Sequence, residues 1–223
     1  MLVAKDRFTP SPDSAVHTFC HAIPEKWYQM GVILAATESL NWLAGKLGRE
    51  VPDLVAELPD VAEEPSSVMF FPYLSGERTP HNDASIRGAF VGLSRTTSVA
   101  DLCQSVVEGV SFAMKDCYRA LKSTGTELSH IMAIGGGSVS GFWLQTLSNT
   151  LNLPIQLPDK GDFGAAMGAA RLAMAAEPNT GPEEIMIQPD VVATIEAQPM
   201  KVGVYESAYQ RFVKGYSALK EIQ

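Results

Sequence analysis

Strands alternating with helices predict an α/β layered fold for this chain. Three stretches carry that expectation. An apolar run from Ile131 to Ile134 meets Gly135-Gly136-Gly137, and Trp143, Leu144, Leu147 and Leu151 then fall on one helical side. Val68 to Leu74 is a strong apolar strand. Leu102, Val106, Val107, Val110, Ala113, Met114, Cys117 and Leu121 keep the spacing of a long helix.

Taken in order, the start is punctuated by Pro10, Pro12 and Pro24, which break any long element, so the first ~25 residues read as an unfinished domain start. Trp27 to Ala36 reads as a strand running into a helix that carries Leu40, Trp42, Leu43 and Leu47 and stops at Gly48. Pro52 begins a short helix. Gly88 to Leu93 is a further short strand, and Ser98 to Asp101 resembles a capping box in front of the long helix, which ends at Gly125. Ile155 to Leu157 is a short strand, and Asp162 caps a small-residue helix through Ala176. Residues 177–199 form a Pro-rich connection with one edge strand at Val191 to Ile195. The tail through residues 203–223 is amphipathic, with Tyr205, Tyr209, Phe212, Tyr216 and Leu219 on one side, and is expected to pack on its own domain.

A hydrophobic content of 46% over 223 residues is enough for a sizeable core in one large or two small domains. The net charge of −8 excludes the basic footprint of a general nucleic-acid binder and disfavours an anionic membrane surface. It does not exclude ATP, because backbone dipoles and magnesium dominate locally. No apolar run approaches a membrane span. The three cysteines, Cys20, Cys103 and Cys117, are odd in number and widely spaced, which fits a reduced, cytoplasmic setting.

Three segments carry candidate chemistry. A turn without side chains at Gly135, Gly136 and Gly137, with Ser138 after it, lets a flat ligand or a phosphate reach bare backbone at a helix start. The same turn also suits a βα connection that needs glycine only for packing. The Gly161 to Ala170 segment sets Gly164 and Gly168 one turn apart, as close helix packing or a flat ring would want. The loop from Pro72 to Asp83 crowds Glu77, Arg78, His81 and Asn82 behind a buried strand, where a binding loop or a proline-stiffened surface loop would sit. His17 and His21 lack a third ligand and read as structural. Glu108 reads as a buried, paired acid and Asp116 as part of a solvated face. No Walker A sequence, nucleophile elbow, zincin helix or CxxC pair occurs. Gly135-x-Gly137 with Asp159 downstream keeps an NAD(P)-dependent oxidoreductase open as an alternative, and a non-catalytic nucleotide-binding module as another.

Together these segments resemble the FGGY carbohydrate kinases. The likeness rests on Ser14 to Ala22, the Pro72 to Asp83 loop, Gly88 to Leu93, Val107-Glu108-Gly109-Val110, Gly135 to Ser140, Trp143, Gln145 and Gly164 to Leu172. It implies an actin-like, ribonuclease-H-like ATPase domain, a mixed sheet flanked by helices. It implies ATP and Mg²⁺ as cofactors, a ketopentose acceptor, and Gly136 and Gly137 against the adenosine and phosphates. Gln145 and Asn149 would line the nucleoside pocket, with Gly164 near the same cleft. Val139 stands where the family often has arginine, and Asn149 where aspartate is common. The family's Gly-Asp-Asn segment, which carries the base, and its Gly-Thr-Ser phosphate turn are absent from these residues. The chain therefore reads as the carboxyl-terminal half, 1–223, without the sugar-binding domain, inactive alone, with self-association or a homodimer through the uncovered face.

Overall fold

The computed structural model describes residues 1–159, 161, 164–177 and 180–223. The opening segment forms regular strands despite its prolines. β1 (Leu2–Lys5), β2 (His17–Cys20) and β3 (Trp27–Met30) form an antiparallel sheet in the order β1-β3-β2. The prolines fall between these strands: Pro12 opens a 3₁₀ turn over Pro12–Ser14, and the strands are short enough to fit the gaps. Buried Gln29 fastens the sheet by donating to the Thr9 carbonyl at 2.5 Å and accepting from the Thr126 hydroxyl at 2.5 Å.

α1 (Glu38–Leu47) begins only after a loop from residue 31 and ends on left-handed Gly48. α2 (Val51–Val55) carries its proline in the first turn. β4 (Met69–Phe71) pairs antiparallel with β5 (Ala89–Val91). α3 (Val99–Ser123) has the full capping box: the Asp101 amide donates to Ser98 Oγ, and the Ser98 amide donates to the Asp101 carboxylate. Gly109 lets α3 settle on β4, since a β-carbon there would collide with the Phe70 carbonyl. Leu40, Leu43, Phe70, Val106, Val110 and Trp143 close one core cluster around that contact.

β6 (Ile131–Met132) and β7 (Ile155–Pro158) pair in parallel, joined through α4 (Gly141–Leu151). β8 (Val191–Ile195) adds antiparallel to β7 and forms the edge, as the sequence predicts. α5 (Gly164–Ala175) buries none of its described residues, and the Asp162 cap lies outside the described residues. The Pro-rich connection also holds α6 (Pro182–Ile185). α7 (Pro199–Ile222) starts earlier than the periodicity predicts and packs Tyr205, Tyr209, Phe212 and Leu219 on its own domain. Phe212 stacks on Phe71 with ring centroids 4.9 Å apart. Among the described residues no helix is long and apolar enough to cross a membrane.

Candidate nucleotide site

The triple glycine is a strand-to-helix turn of the predicted kind. Gly135 adopts φ 86° and ψ −178°, a region essentially reserved for glycine. A 3₁₀ turn over Gly136–Val139 follows, closed by the Ser138 amide and hydroxyl, which donate to the Gly135 carbonyl at 3.0 and 2.7 Å. Ser140 caps α4 by accepting from the Trp143 amide at 3.3 Å. A β-carbon at Gly135 or Gly136 would meet nothing within 4 Å, so the backbone there faces open space. Among the described residues the Gly136 and Gly137 amides have no hydrogen-bond partner. Unspent amides at the head of a helix are suited to an anion.

Two neighbours of this turn come from elsewhere in the chain. The Gly135 amide donates to the Gly161 carbonyl at 3.1 Å, and Gly164 lies so close to Ile134 that a β-carbon would stand 3.0 Å from its Cδ1. The second small-residue segment thus meets the first. Thr37, just before α1, lies beside Gly137, where a β-carbon would stand 3.1 Å from its Cγ2. No spacing in the sequence marks Thr37; only the tertiary fold brings it there.

The 77–83 loop joins the far end of the 32–37 segment that leads to Thr37. Glu77 Oε1 accepts the Leu34 amide at 3.1 Å and the Arg78 amide at 2.8 Å, and the Thr79 amide donates to the Val32 carbonyl at 2.9 Å. Glu77 is buried, its Oε2 has no partner among the described residues, and burial pushes its carboxyl up to about 7 against the pull of the two amides. Arg78 and Asn82 are exposed. His81 stacks on Tyr216 at 3.5 Å, away from the glycine turn's own contacts, and burial pulls its pKa down to about 4. Asp83 accepts from Ser85 and Tyr216, bonds that hold it well below the usual carboxylate range.

Gln145 and Asn149 point their hydrogen bonds at the start of α7. Asn149 Oδ1 accepts the Gln198 amide at 2.8 Å and Gln145 Nε2 at 3.1 Å, while Gln145 also donates to the Glu196 carbonyl at 3.0 Å. Glu108 is a buried, paired acid, accepting from the Ser66 amide at 2.9 Å and from Gln104 at 2.8 Å, and burial raises it to about 7. Asp116 departs from its sequence reading: it is half-buried under α7, accepts the Tyr209 hydroxyl, and is raised by burial to about 6. His17 lies on β2 and stacks on Phe19, while His21 Nδ1 accepts the Ile23 amide at 3.0 Å. Among the described residues no cluster of His, Cys, Asp and Glu could hold a metal ion.

An α/β domain with a glycine turn between a parallel strand and a helix is the class that the fold defines. Structures with the same architecture are sugar kinases of the actin-like ATPase fold. A xyloylose kinase from Brucella ovis superposes with a TM-score of 0.93 at 46% identity, over 100% of this chain and 47% of that one. A xylulose kinase from Rhodospirillum rubrum does so with a TM-score of 0.79 at 25% identity, over 99% and 45%. Xylulose kinase from Escherichia coli K12 is 36% identical over 214 residues, 95% of this chain and 44% of the relative. Residues 2–177 match the C-terminal domain of the FGGY family of carbohydrate kinases, and the chain belongs to that family. It spans about half the length of the curated relatives it matches.

Proposed function

We propose that this chain is the nucleotide-binding half of a xylulokinase-like enzyme, which transfers the γ-phosphoryl group of ATP to a hydroxyl of D-xylulose to give D-xylulose 5-phosphate and ADP. The glycine turn carries the reading, with open space at Gly135 and Gly136 and unpaired amides at Gly136 and Gly137 among the described residues. It offers unpaired amides and no side chain where a purine ribotide and its phosphates would lie. Whole-chain similarity to xylulose kinases supports the acceptor.

In this reading Gly136 and Gly137 contact the phosphates, and Gly135 holds the turn in shape for them. Gly164 and Thr37 bound the hollow on either side. Charge neutralisation during the transfer would be supplied by Mg²⁺ carried on the nucleotide, since among the described residues no cluster could hold the ion. Gln145 and Asn149 brace the helix behind the turn, with Gln145 as the nearer candidate for a nucleoside contact. Glu77 fixes the 32–37 segment from its other end. Phosphoryl transfer depends mainly on holding the reacting atoms in line. These residues hold neither a Gly-Asp-Asn nor a Gly-Thr-Ser segment. The chain by itself therefore binds Mg–ATP and leaves D-xylulose unphosphorylated.

Calorimetric titration tests this directly. Saturable binding of Mg–ATP, in preference to NAD, is the expected result. A preference for NAD, or hydride transfer with it, would transfer the glycine turn to the oxidoreductase reading. Phosphorylation of D-xylulose by the chain alone would show that its own residues supply the base.

A further inference from the structure

The 32–37 segment lies between β3 and α1 and carries no ionisable side chain. The polar loop grips it at two points. At one, the Thr79 hydroxyl accepts the Val32 amide at 2.9 Å and donates to the Ala15 carbonyl at 3.1 Å, while the Thr79 amide donates to the Val32 carbonyl at 2.9 Å. At the other, Glu77 Oε1 accepts the Leu34 amide at 3.1 Å. Only the second grip involves a group that gains and loses a proton.

The Glu77 carboxyl is firmly placed and half satisfied. Its backbone exchanges two hydrogen bonds with Asp83, each 2.8 Å long, which fixes where the side chain starts. Oε1 accepts two amides, whereas Oε2 is buried with no partner among the described residues. Burial brings the carboxyl up to about 7, so its charge changes in the neutral range. Its titratable neighbours are Tyr73, just ahead of the loop, and Asp116 and Cys117 on α3. Burial keeps the phenol and the thiol protonated, which leaves Asp116 as the charged neighbour, and it disfavours the ionised form. A carboxylate accepts an amide roughly twice as strongly as a neutral oxygen does. Protonation therefore loosens the hold on Leu34 and leaves the Thr79 grip unchanged.

We propose that Glu77 is a positioning residue for the nucleotide: its ionised form, by holding the segment that ends at Thr37 beside Gly137, sets the affinity of the hollow for Mg–ATP. The assignment rests on the nucleotide reading, and Glu77 acts through Leu34 without touching the ligand.

Calorimetric titrations of the intact chain with Mg–ATP, in excess Mg²⁺ from pH 6 to pH 8, test it. Wild-type affinity should rise about fivefold over that range. Binding at pH 7 should release protons, read by repeating the titration in a buffer of different ionisation enthalpy. Glu77→Gln keeps an uncharged acceptor for the Leu34 amide. It should bind at pH 8 as weakly as wild type does at pH 6 and show no proton release. Glu108→Gln and Asp116→Asn remove the other two acids that burial raises, and both should keep the rise. Four results overturn the assignment while the nucleotide reading stands: a flat wild-type profile, a Glu77→Gln profile like that of wild type, a rise abolished by either control variant, or proton uptake on binding. Uptake would mean that the phosphates merely repel the carboxylate. Absence of Mg–ATP binding at every pH overturns both.

Discussion

The Glu77 carboxylate accepts the backbone amide of Leu34 at 3.1 Å, across 43 residues of sequence. That bond fixes the polar loop to the segment that runs on to Thr37 and the glycine turn. It also places an acid where water does not reach it.

Glu77, Glu108 and Asp116 are raised by burial to about 7, 7 and 6. Each binds its proton more tightly folded than unfolded, so each subtracts stability as pH rises from its unfolded value, near 4, towards its folded one. His81 acts in the opposite direction. Its pKa falls to about 4 on folding, so it adds stability as pH rises towards 6.5. The three carboxyls outweigh His81 and the Met1 amine, whose pKa burial also lowers, and leave a net decline between about pH 5 and pH 7. Urea unfolding should give a higher midpoint at pH 5.5 than at pH 7.5, and Glu108→Gln should shrink the stability difference between the two by about 1–3 kcal/mol. A midpoint that climbs steadily with pH would contradict the assignment of these acids.

Gly135 and Gly136 are adjacent, yet they should respond oppositely to substitution. Gly135 holds a φ of 86° with open space around it, so Gly135→Ala strains the backbone by about 1–3 kcal/mol without any clash. Gly136 faces the same open space without a positive φ. Gly136→Phe should keep the melting temperature within a degree or two and fill the hollow, cutting Mg–ATP affinity at least tenfold. If Gly136→Phe binds Mg–ATP as wild type does, the phosphates do not lie on this backbone.

Much of this was legible because it is local. The Ser98–Asp101 capping box needs only residues three apart, and the helix after it needs only its apolar spacing. The glycine turn and the β8 edge strand are likewise decided within a few residues. What escaped the sequence depends on distant partners. Asp116 looks solvated on its own helix and is covered only by Tyr209, 93 residues later. Thr37 enters the site through a contact with Gly137 that no periodicity encodes. β1 and β2 escaped for another reason: strands of four residues on either side of a proline-broken connection carry too little pattern to register.

The capping box gives a clean stability test on α3. Ser98→Ala removes the acceptor for the Asp101 amide and the hydroxyl that donates to its carboxylate at 2.8 Å. The expected loss is about 0.5–2 kcal/mol, typical of an N-cap serine. Ser98→Thr should recover most of it, since its hydroxyl can accept the same amide and donate to the same carboxylate. Equal melting temperatures for wild type and Ser98→Ala would mean that the first turn of α3 frays.

Asn149 separates a brace from a nucleoside contact. It is 2% exposed, and its amide meets both the backbone and the side chain of Gln198. Asn149→Ala leaves the half-buried Gln198 amide without its acceptor, which costs up to about 1–3 kcal/mol, and frees the start of α7 from α4. Asn149→Asp keeps an acceptor for that amide but loses the donor to Gln198 Oε1 and buries a charge, so it should fall between wild type and alanine, recovering at acid pH as the carboxyl takes up a proton. Urea unfolding of the three proteins at pH 5 and pH 7.5, beside Mg–ATP titrations, distinguishes the roles. A brace shows the stability order with nucleotide affinity nearly constant in the folded protein. A purine contact would reverse that, leaving stability intact and weakening ATP by tenfold or more.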